Sequence, residues 1–200
     1  MSIALVIFLH GVGSRGADLE PLAQFLSPTL PGAAFESPDA PHPFDMGGPG
    51  RQWFSVMGVT EANRAARIEA ARPGFDDIIR RLSERHGLAD QPEKVALVGF
   101  SQGTIMALDA VATRRWPVGA VVGFSGRLAT PDPLHPANAS KLLLVHGTAD
   151  MTIPATESEK ARQRLAAAGS DVALKLLNGL GHSISREGME LAATFLSSVR

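Results

Sequence analysis

The chain has 200 residues, 44% of them apolar, with 19 basic against 20 acidic side chains and a formal net charge of -1. That length suits one domain with a sizeable core and is short for two. The near-neutral balance, with no basic run and no basic stripe interleaved with aromatics, argues against nucleic acid as a partner. The absence of cysteine excludes disulfides, thiolate metal sites and a cysteine nucleophile, and it fits a reducing, cytoplasmic setting.

Taken in order, the chain opens on an apolar run, Ile3–Leu9 (IALVIFL). No basic segment precedes it and no small-residue cleavage site follows it, so it reads as a buried strand and not as a signal peptide. It is also far too short to span a bilayer, and no other segment approaches that length, so no stable membrane insertion is expected. A helix is predicted from Asp18 across DLEPLAQFL, where an N-cap acid precedes apolar residues at helical spacing. A weak strand follows at Ala33–Glu36. The Pro- and Gly-rich stretch 37–60 is the longest irregular segment, and a long loop in a compact domain is often functional. Glu61–Arg85 is rich in alanine and arginine and reads as helical, with Pro73-Gly74 expected to break it in two.

Strands at Val95–Val98, Val118–Phe124, Lys141–Val145 and Val172–Leu177 then alternate with helices over Ser101–Arg114, Ala155–Ala168 and Glu187–Val199. Short, nearly continuous apolar runs suggest strands covered on both faces, as in a parallel sheet. The alternation predicts a single three-layer α/β domain over residues 1–200, with a mostly parallel sheet of about six to seven strands. Such sheets bind ligands at the carboxyl ends of their strands, so the loops that follow strands are where function is sought.

The strand at Val95–Val98 runs into Gly99-Phe100-Ser101-Gln102-Gly103, a G-x-S-x-G sequence with a strand before it and a helix after it. In that setting the serine sits on a strained elbow, and the glycines allow a backbone approach that a Cβ would block. The following helix directs its first N–H groups and positive dipole end at any negative charge formed there. A second serine, Ser125 in GFSGR, also follows a strand. It lacks the second glycine, and Pro131 and Pro133 argue against a helix after it, so it reads as a strand-end turn residue.

A serine hydroxyl is a poor nucleophile until a base removes its proton, and histidine is the usual base near neutral pH. Of the six histidines, His42, His86 and His135 lie in Pro-rich or helix-end contexts and read as solvated surface. His10 and His146 follow strand runs and suit hydrogen bonds to loop backbone. No H-x-x-H or H-E-x-x-H spacing supports a metal site. His182, in NGLGHSIS, lies between the last strand and the last helix, where a loop reaches back over the carboxyl edge of the sheet. In HGTADMTIP, Asp150 is the acid free to point inward. Ser101, Asp150 and His182 follow the chain order of an α/β-hydrolase triad, with the aspartate holding the imidazole in its tautomer.

Acyl transfer also creates an oxyanion that needs preorganised N–H donors. One is expected from the Gln102 backbone, directly after the serine. The other is expected from the glycine-rich loop after the first strand, HGVGSRG, with Val12 the chosen donor between Gly11 and Gly13. A glycine-rich loop can instead cradle phosphate, but this one lacks the Walker lysine and the downstream ribose acid of a dinucleotide fingerprint.

With these residues together, the chain resembles the phospholipase/carboxylesterase family of α/β-hydrolases, which includes acyl-protein thioesterases and small bacterial carboxylesterases. The matching stretches are FLHGVGS at 8–14, RQWFS at 51–55, VALVGFSQGT at 95–104, LLLVHGTADMTIP at 142–154 and GLGHSIS at 179–185. The resemblance implies a serine hydrolase of carboxylic esters or thioesters that needs no cofactor. It also implies Ser101, Asp150 and His182 as catalytic residues, with Val12 and Gln102 at the oxyanion hole. One departure stands out. Arg127, after FSG, occupies a position expected to be apolar or neutral, which bears on the shape of the acyl pocket.

The connection Ser125–Ser140 is too short for a cap domain, so an open cleft for a small-molecule ester or thioester of short or medium chain length is expected. Trp53, Phe54, Met57, Met151 and Ile153 are its apolar candidates. Two alternatives stay open on the sequence: a non-catalytic binding protein of the same fold, since fold alone does not settle function, and a serine hydrolase of another acyl group such as an amide or lactone. Oligomeric state is not legible, although a homodimer paired through an apolar surface is common for folds of this size.

Overall fold

The computed structural model describes residues 2–136 and 140–199. Strands β1 (Leu5–Leu9), β2 (Ala34–Glu36), β5 (Val95–Phe100), β6 (Ala120–Phe124), β7 (Lys141–Gly147) and β8 (Asp171–Leu177) form one six-stranded sheet in the order β2-β1-β5-β6-β7-β8. Every pairing in it is parallel. A separate antiparallel pair, β3 (His42–Pro43) with β4 (Arg51–Gln52), lies inside the long loop. The helices are α1 (Glu20–Leu26), α2 (Glu61–Arg85), α3 (Gln102–Ala112), α4 (Thr156–Ala167) and α5 (Arg186–Ser198).

The two-residue period of a strand sends alternate side chains to opposite faces, and the core divides accordingly. Leu5, Ile7, Leu9 and Leu97 pack with Phe75, Ile79, Met106 and Leu165, from α2, α3 and α4. Val6, Phe8, Ala96 and Val98 pack with Leu26, Ala192 and Leu196, from α1 and α5. This makes three layers, with α3 buried along its whole length beneath the sheet. The edge strand β8 has a mostly apolar sequence, yet exposed and half-buried residues alternate along it from Asp171 to Lys175.

Helix α2 is continuous through Pro73, contrary to the expected break. Ile68 and Ala71 before the proline, and Phe75, Ile78, Ile79 and Leu82 after it, are buried on one face. Burial of several such side chains, at roughly 1.5–3 kcal/mol each, outweighs the roughly 3 kcal/mol of an interior proline. Gly74 accommodates the close approach of the long loop, since a Cβ there would meet Pro41 Cγ at 3.1 Å.

From β1 the chain steps to β2 on one side, then crosses back to β5 on the other. The strand order therefore reverses between β1 and β5, and the crevice at their carboxyl ends is the place where such sheets take ligands. The loop at 10–16 and the turn at Ser101 both open there. No described helix is long and apolar enough to cross a membrane. Residues 125–136 form a connection without a helix; the rest of the expected short linker, 137–139, lies outside the described residues.

Candidate active site

Ser101 stands between β5 and α3 with φ 52° and ψ -113°, a conformation that a non-glycine residue adopts only when its surroundings impose it. The neighbouring glycines show what imposes it. A Cβ on Gly99 would meet the Thr104 backbone nitrogen at 2.5 Å, and one on Gly103 would meet the Leu9 carbonyl oxygen at 2.0 Å. Helix α3 is thus pressed against β1 and β5, and the turn has no room to relax. The Ser101 N–H is tied to Phe124 O at 2.9 Å, and its carbonyl accepts from Ile105 N–H at 3.1 Å.

The loops after β7 and β8 are zipped to each other. Thr148 N–H donates to Leu177 O at 2.9 Å and Ala149 N–H donates to Leu180 O at 3.0 Å, while Gly179 N–H donates to Thr148 Oγ1 at 2.9 Å. Gly147 makes this contact feasible, since a Cβ there would meet the Leu180 carbonyl oxygen at 2.1 Å. Two residues 32 apart in sequence, Asp150 and His182, are thereby brought together: His182 Nδ1 lies 2.7 Å from Asp150 Oδ2. The other ring nitrogen, Nε2, lies 3.0 Å from Ser101 Oγ. Phe100 packs on the ring with its centroid 5.0 Å away.

Asp150 is buried and accepts on both oxygens. Oδ1 takes the N–H groups of Thr152 at 2.8 Å and Ile153 at 2.9 Å. Oδ2 faces both His182 and His146 Nε2, the latter at 3.1 Å. Burial opposes ionisation of this carboxyl, but the donors from His182, Ile153 and Thr152 together outweigh it and hold the carboxyl below the usual carboxylate range. An ionised acceptor at Oδ2 fixes the proton of His182 on Nδ1, leaving Nε2 free to accept the hydroxyl proton of Ser101.

His146 and His10 both bind loop backbone, and His146 does more. Its Nε2 also meets Ile153 O at 2.8 Å, and its Nδ1 meets Ser158 Oγ at 2.7 Å. Two acceptors at Nε2 place the proton there, so Nδ1 accepts from the serine. His10 Nε2 accepts from Ala40 N–H at 2.9 Å and its Nδ1 donates to Gly11 O at 2.7 Å. Among the described residues, no group of three or more histidine, aspartate or glutamate side chains could hold a metal ion.

Ser101 lies on a cavity of about 240 Å³ whose wall includes Val12, Gln102, Phe54, Ile153, Arg64 and Arg127. Neither the Val12 N–H nor the Gln102 N–H donates to another described residue. The expected apolar lining divides. Phe54 and Ile153 belong to this wall. Trp53 does not: it is 1% exposed, packed edge-on to Phe75 at 5.5 Å, with its Nε1–H donating to His10 O at 3.0 Å. Met57 and Met151 are 60% and 94% exposed and also lie outside the wall. Ser125 is a buried turn residue at the end of β6, with φ 48° and its Oγ unpartnered.

Two contributions leave little trace in the sequence. The Gln102 side chain accepts from Trp53 N–H at 2.8 Å and donates to Phe54 O at 2.8 Å, which ties the long loop to the elbow. That loop is also stitched to the first one. Gly13 N–H donates to Arg51 O and Arg51 N–H donates to Ser14 O, both at 2.8 Å. The only signal for this in the sequence is the chemistry of a glutamine beside a serine, able to donate and accept at once.

The sequence profile of the phospholipase/carboxylesterase family matches residues 2–200. The chain belongs to the phospholipase/carboxylesterase family. Membership makes it, by class, a hydrolase of carboxylic esters. Among relatives, it is 35% identical over 193 residues to esterase YpfH of Escherichia coli K12, covering 96% of this chain and 81% of that one. It is 28% identical to acyl-protein thioesterase 1 of Saccharomyces cerevisiae, covering 96% of this chain and 90% of the other. The crystal structure of esterase PE8 superposes with a TM-score of 0.88 at 35% identity, covering 100% of this chain and 94% of that chain.

Proposed function

We propose that the protein is a serine esterase or thioesterase that works through an acyl-enzyme on Ser101. The observation that carries this reading is the unbroken relay from Ser101 Oγ to His182 Nε2 at 3.0 Å and from His182 Nδ1 to Asp150 Oδ2 at 2.7 Å. His182 Nε2 takes the hydroxyl proton as Oγ bonds to the substrate carbonyl carbon. The carbonyl oxygen becomes an oxyanion, and the N–H groups of Val12 and Gln102 stabilise it. As the intermediate collapses, the bond to the alcohol or thiol breaks and the leaving group takes the proton from His182. A water molecule then gives a proton to His182 and attacks the acyl-enzyme, and the acid departs as Ser101 recovers its proton.

A cavity of about 240 Å³ is smaller than the roughly 300–1,000 Å³ of pockets that enclose drug-sized ligands. It accommodates a short acyl group, and a medium-length chain extends from its open mouth. The relay distances argue against the non-catalytic alternative, which would leave a strained serine against an oriented imidazole with no task. The test is Ser101→Ala against p-nitrophenyl butyrate. Turnover is expected to vanish in the variant, and turnover that persists overturns the reading. A chain-length series of esters and thioesters, with an amide and a lactone beside them, defines the acyl class.

A further inference from the structure

The charged groups in the wall of the Ser101 cavity are two arginines, Arg64 from α2 and Arg127 from the connection after β6, with no carboxylate among the lining residues. Apart from Ser101, Gln102 and Thr152, the rest of the wall is apolar: Val12, Phe54, Val56, Val59, Ile105 and Ile153. Two guanidinium groups facing a small apolar cleft are an unusual choice for neutral esters alone, because their desolvation is unfavourable without a partner.

Neighbouring acids offset the pair only in part: Glu157 and Glu61 favour the charged form of Arg127, and both arginines also border an adjoining cavity whose wall carries Glu61, Glu157 and Asp132. Arg127 Nη1 lies 3.5 Å from Glu157 Oε2, and that same carboxylate binds Lys160 Nζ at 2.8 Å. Arg64 has no ion pair among the described residues. The Arg127 side chain is only 17% exposed. Burial first, and then the Arg64 guanidinium, push its pKa down against the smaller opposing pull of Glu157 and Glu61. An anion in the cleft would offset both.

We propose that Arg64 and Arg127 select an ester or thioester carrying a carboxylate separated from the scissile carbonyl by a short apolar stretch. This rests on the esterase reading above and names the substrate class of the same site. The apolar stretch lies along the valine and isoleucine wall, and the carboxylate meets the guanidinium groups, whose planar forks match its two oxygens. The carboxylate belongs to the acyl half or to the leaving alcohol, and two substrate pairs distinguish them. Monoethyl adipate against ethyl hexanoate reads the acyl half; the acetate ester of ω-hydroxyhexanoate against hexyl acetate reads the alcohol half.

In a pH-stat assay, kcat/KM for the acidic member is expected to exceed that of its neutral partner by about tenfold in one of the two pairs. Arg127→Gln, Arg64→Gln and their double variant should bring that ratio down towards one. Arg127→Lys, which keeps the charge and loses the fork, should retain part of it. Arg81→Gln, an exposed loss of the same charge elsewhere on α2, should leave the ratio as it was. A ratio at or below one in both pairs, or a preference that survives the double variant, overturns the proposal.

Calorimetric titration with adipate reads the arginine pair without turnover. Binding that is abolished in the double variant supports the proposal, and no binding to the wild-type protein overturns it. If Ser101 neither labels with a fluorophosphonate nor turns over any ester, the esterase reading fails while this titration still decides on the arginines.

Discussion

His146 places its Nε2 3.1 Å from Oδ2 of Asp150, the same oxygen that His182 Nδ1 approaches at 2.7 Å. The carboxylate is therefore held from behind by a fully buried imidazole that is itself held by Ser158 Oγ and Ile153 O. A carboxylate with one donor at Oδ2 can swing about its own bond. One gripped by two imidazoles and two backbone N–H groups is locked in the orientation that His182 requires.

On the proposed mechanism, that arrangement makes His146 a positioning residue. His146→Ala is expected to lower kcat roughly tenfold, the rate equivalent of about one charge-assisted hydrogen bond, while KM changes by less than about twofold. Steady-state kinetics on p-nitrophenyl butyrate separate the two. A change confined to KM would contradict the assignment.

Gln102 is expected to matter through its side chain as well as its backbone. Gln102→Leu keeps the size and leaves Trp53 N–H and Phe54 O without their partner. Stability should fall by about 2 kcal/mol, read as the urea midpoint. Limited proteolysis should cut the loop at 37–60 faster than in the wild type, and an unchanged cleavage rate would show that the loop is held by other contacts.

The glycines of the elbow and of the His182 loop should differ sharply in tolerance. Gly103→Ala sets a Cβ 2.0 Å from a backbone carbonyl oxygen and should destabilise the fold by about 2 kcal/mol or more. Gly181→Ala places its Cβ in open space and should stay within about 0.5 kcal/mol of the wild type. Thermal or urea unfolding of the two variants checks this.

His10 carries a pH dependence. Burial holds its pKa below the ordinary 6.5, against the smaller opposing pull of the Gly11 carbonyl and Asp39. The native ring then binds fewer protons than the unfolded ring once the pH drops to that region, so stability rises with pH there. Its contribution is complete above the unfolded value and declines as pH falls through 6.5 towards the lower native one. His10→Gln should flatten the slope of the unfolding free energy as pH falls through 6.5. A variant with the wild-type slope would assign the dependence elsewhere.

Much of this arrangement was legible in the sequence because it depends on local patterns. The strands betray themselves by short apolar runs. Ser101, Asp150 and His182 each follow one, and the structure brings all three to the carboxyl edge of the sheet. What escaped depends on contacts between distant segments. Helix α2 survives Pro73 because its apolar face is buried on both sides of the proline, and local propensity says nothing of that. The β3–β4 pair is too short for any period to reveal. Trp53 stands next to Phe54 in a matching motif, yet one residue points into the core and its neighbour towards the cleft. Arg127 was visible as a departure. Its meaning required Arg64, 63 residues earlier, to be found on the same wall.

The central claim, a serine activated by His182, is tested most directly by fluorophosphonate labelling with the modified peptide located by mass spectrometry. One adduct is expected, on Ser101, with a labelling rate that falls at least about a hundredfold in His182→Gln, within the range of general-base catalysis. An adduct on another residue, or equal labelling of Ser101 with and without the imidazole, would contradict it.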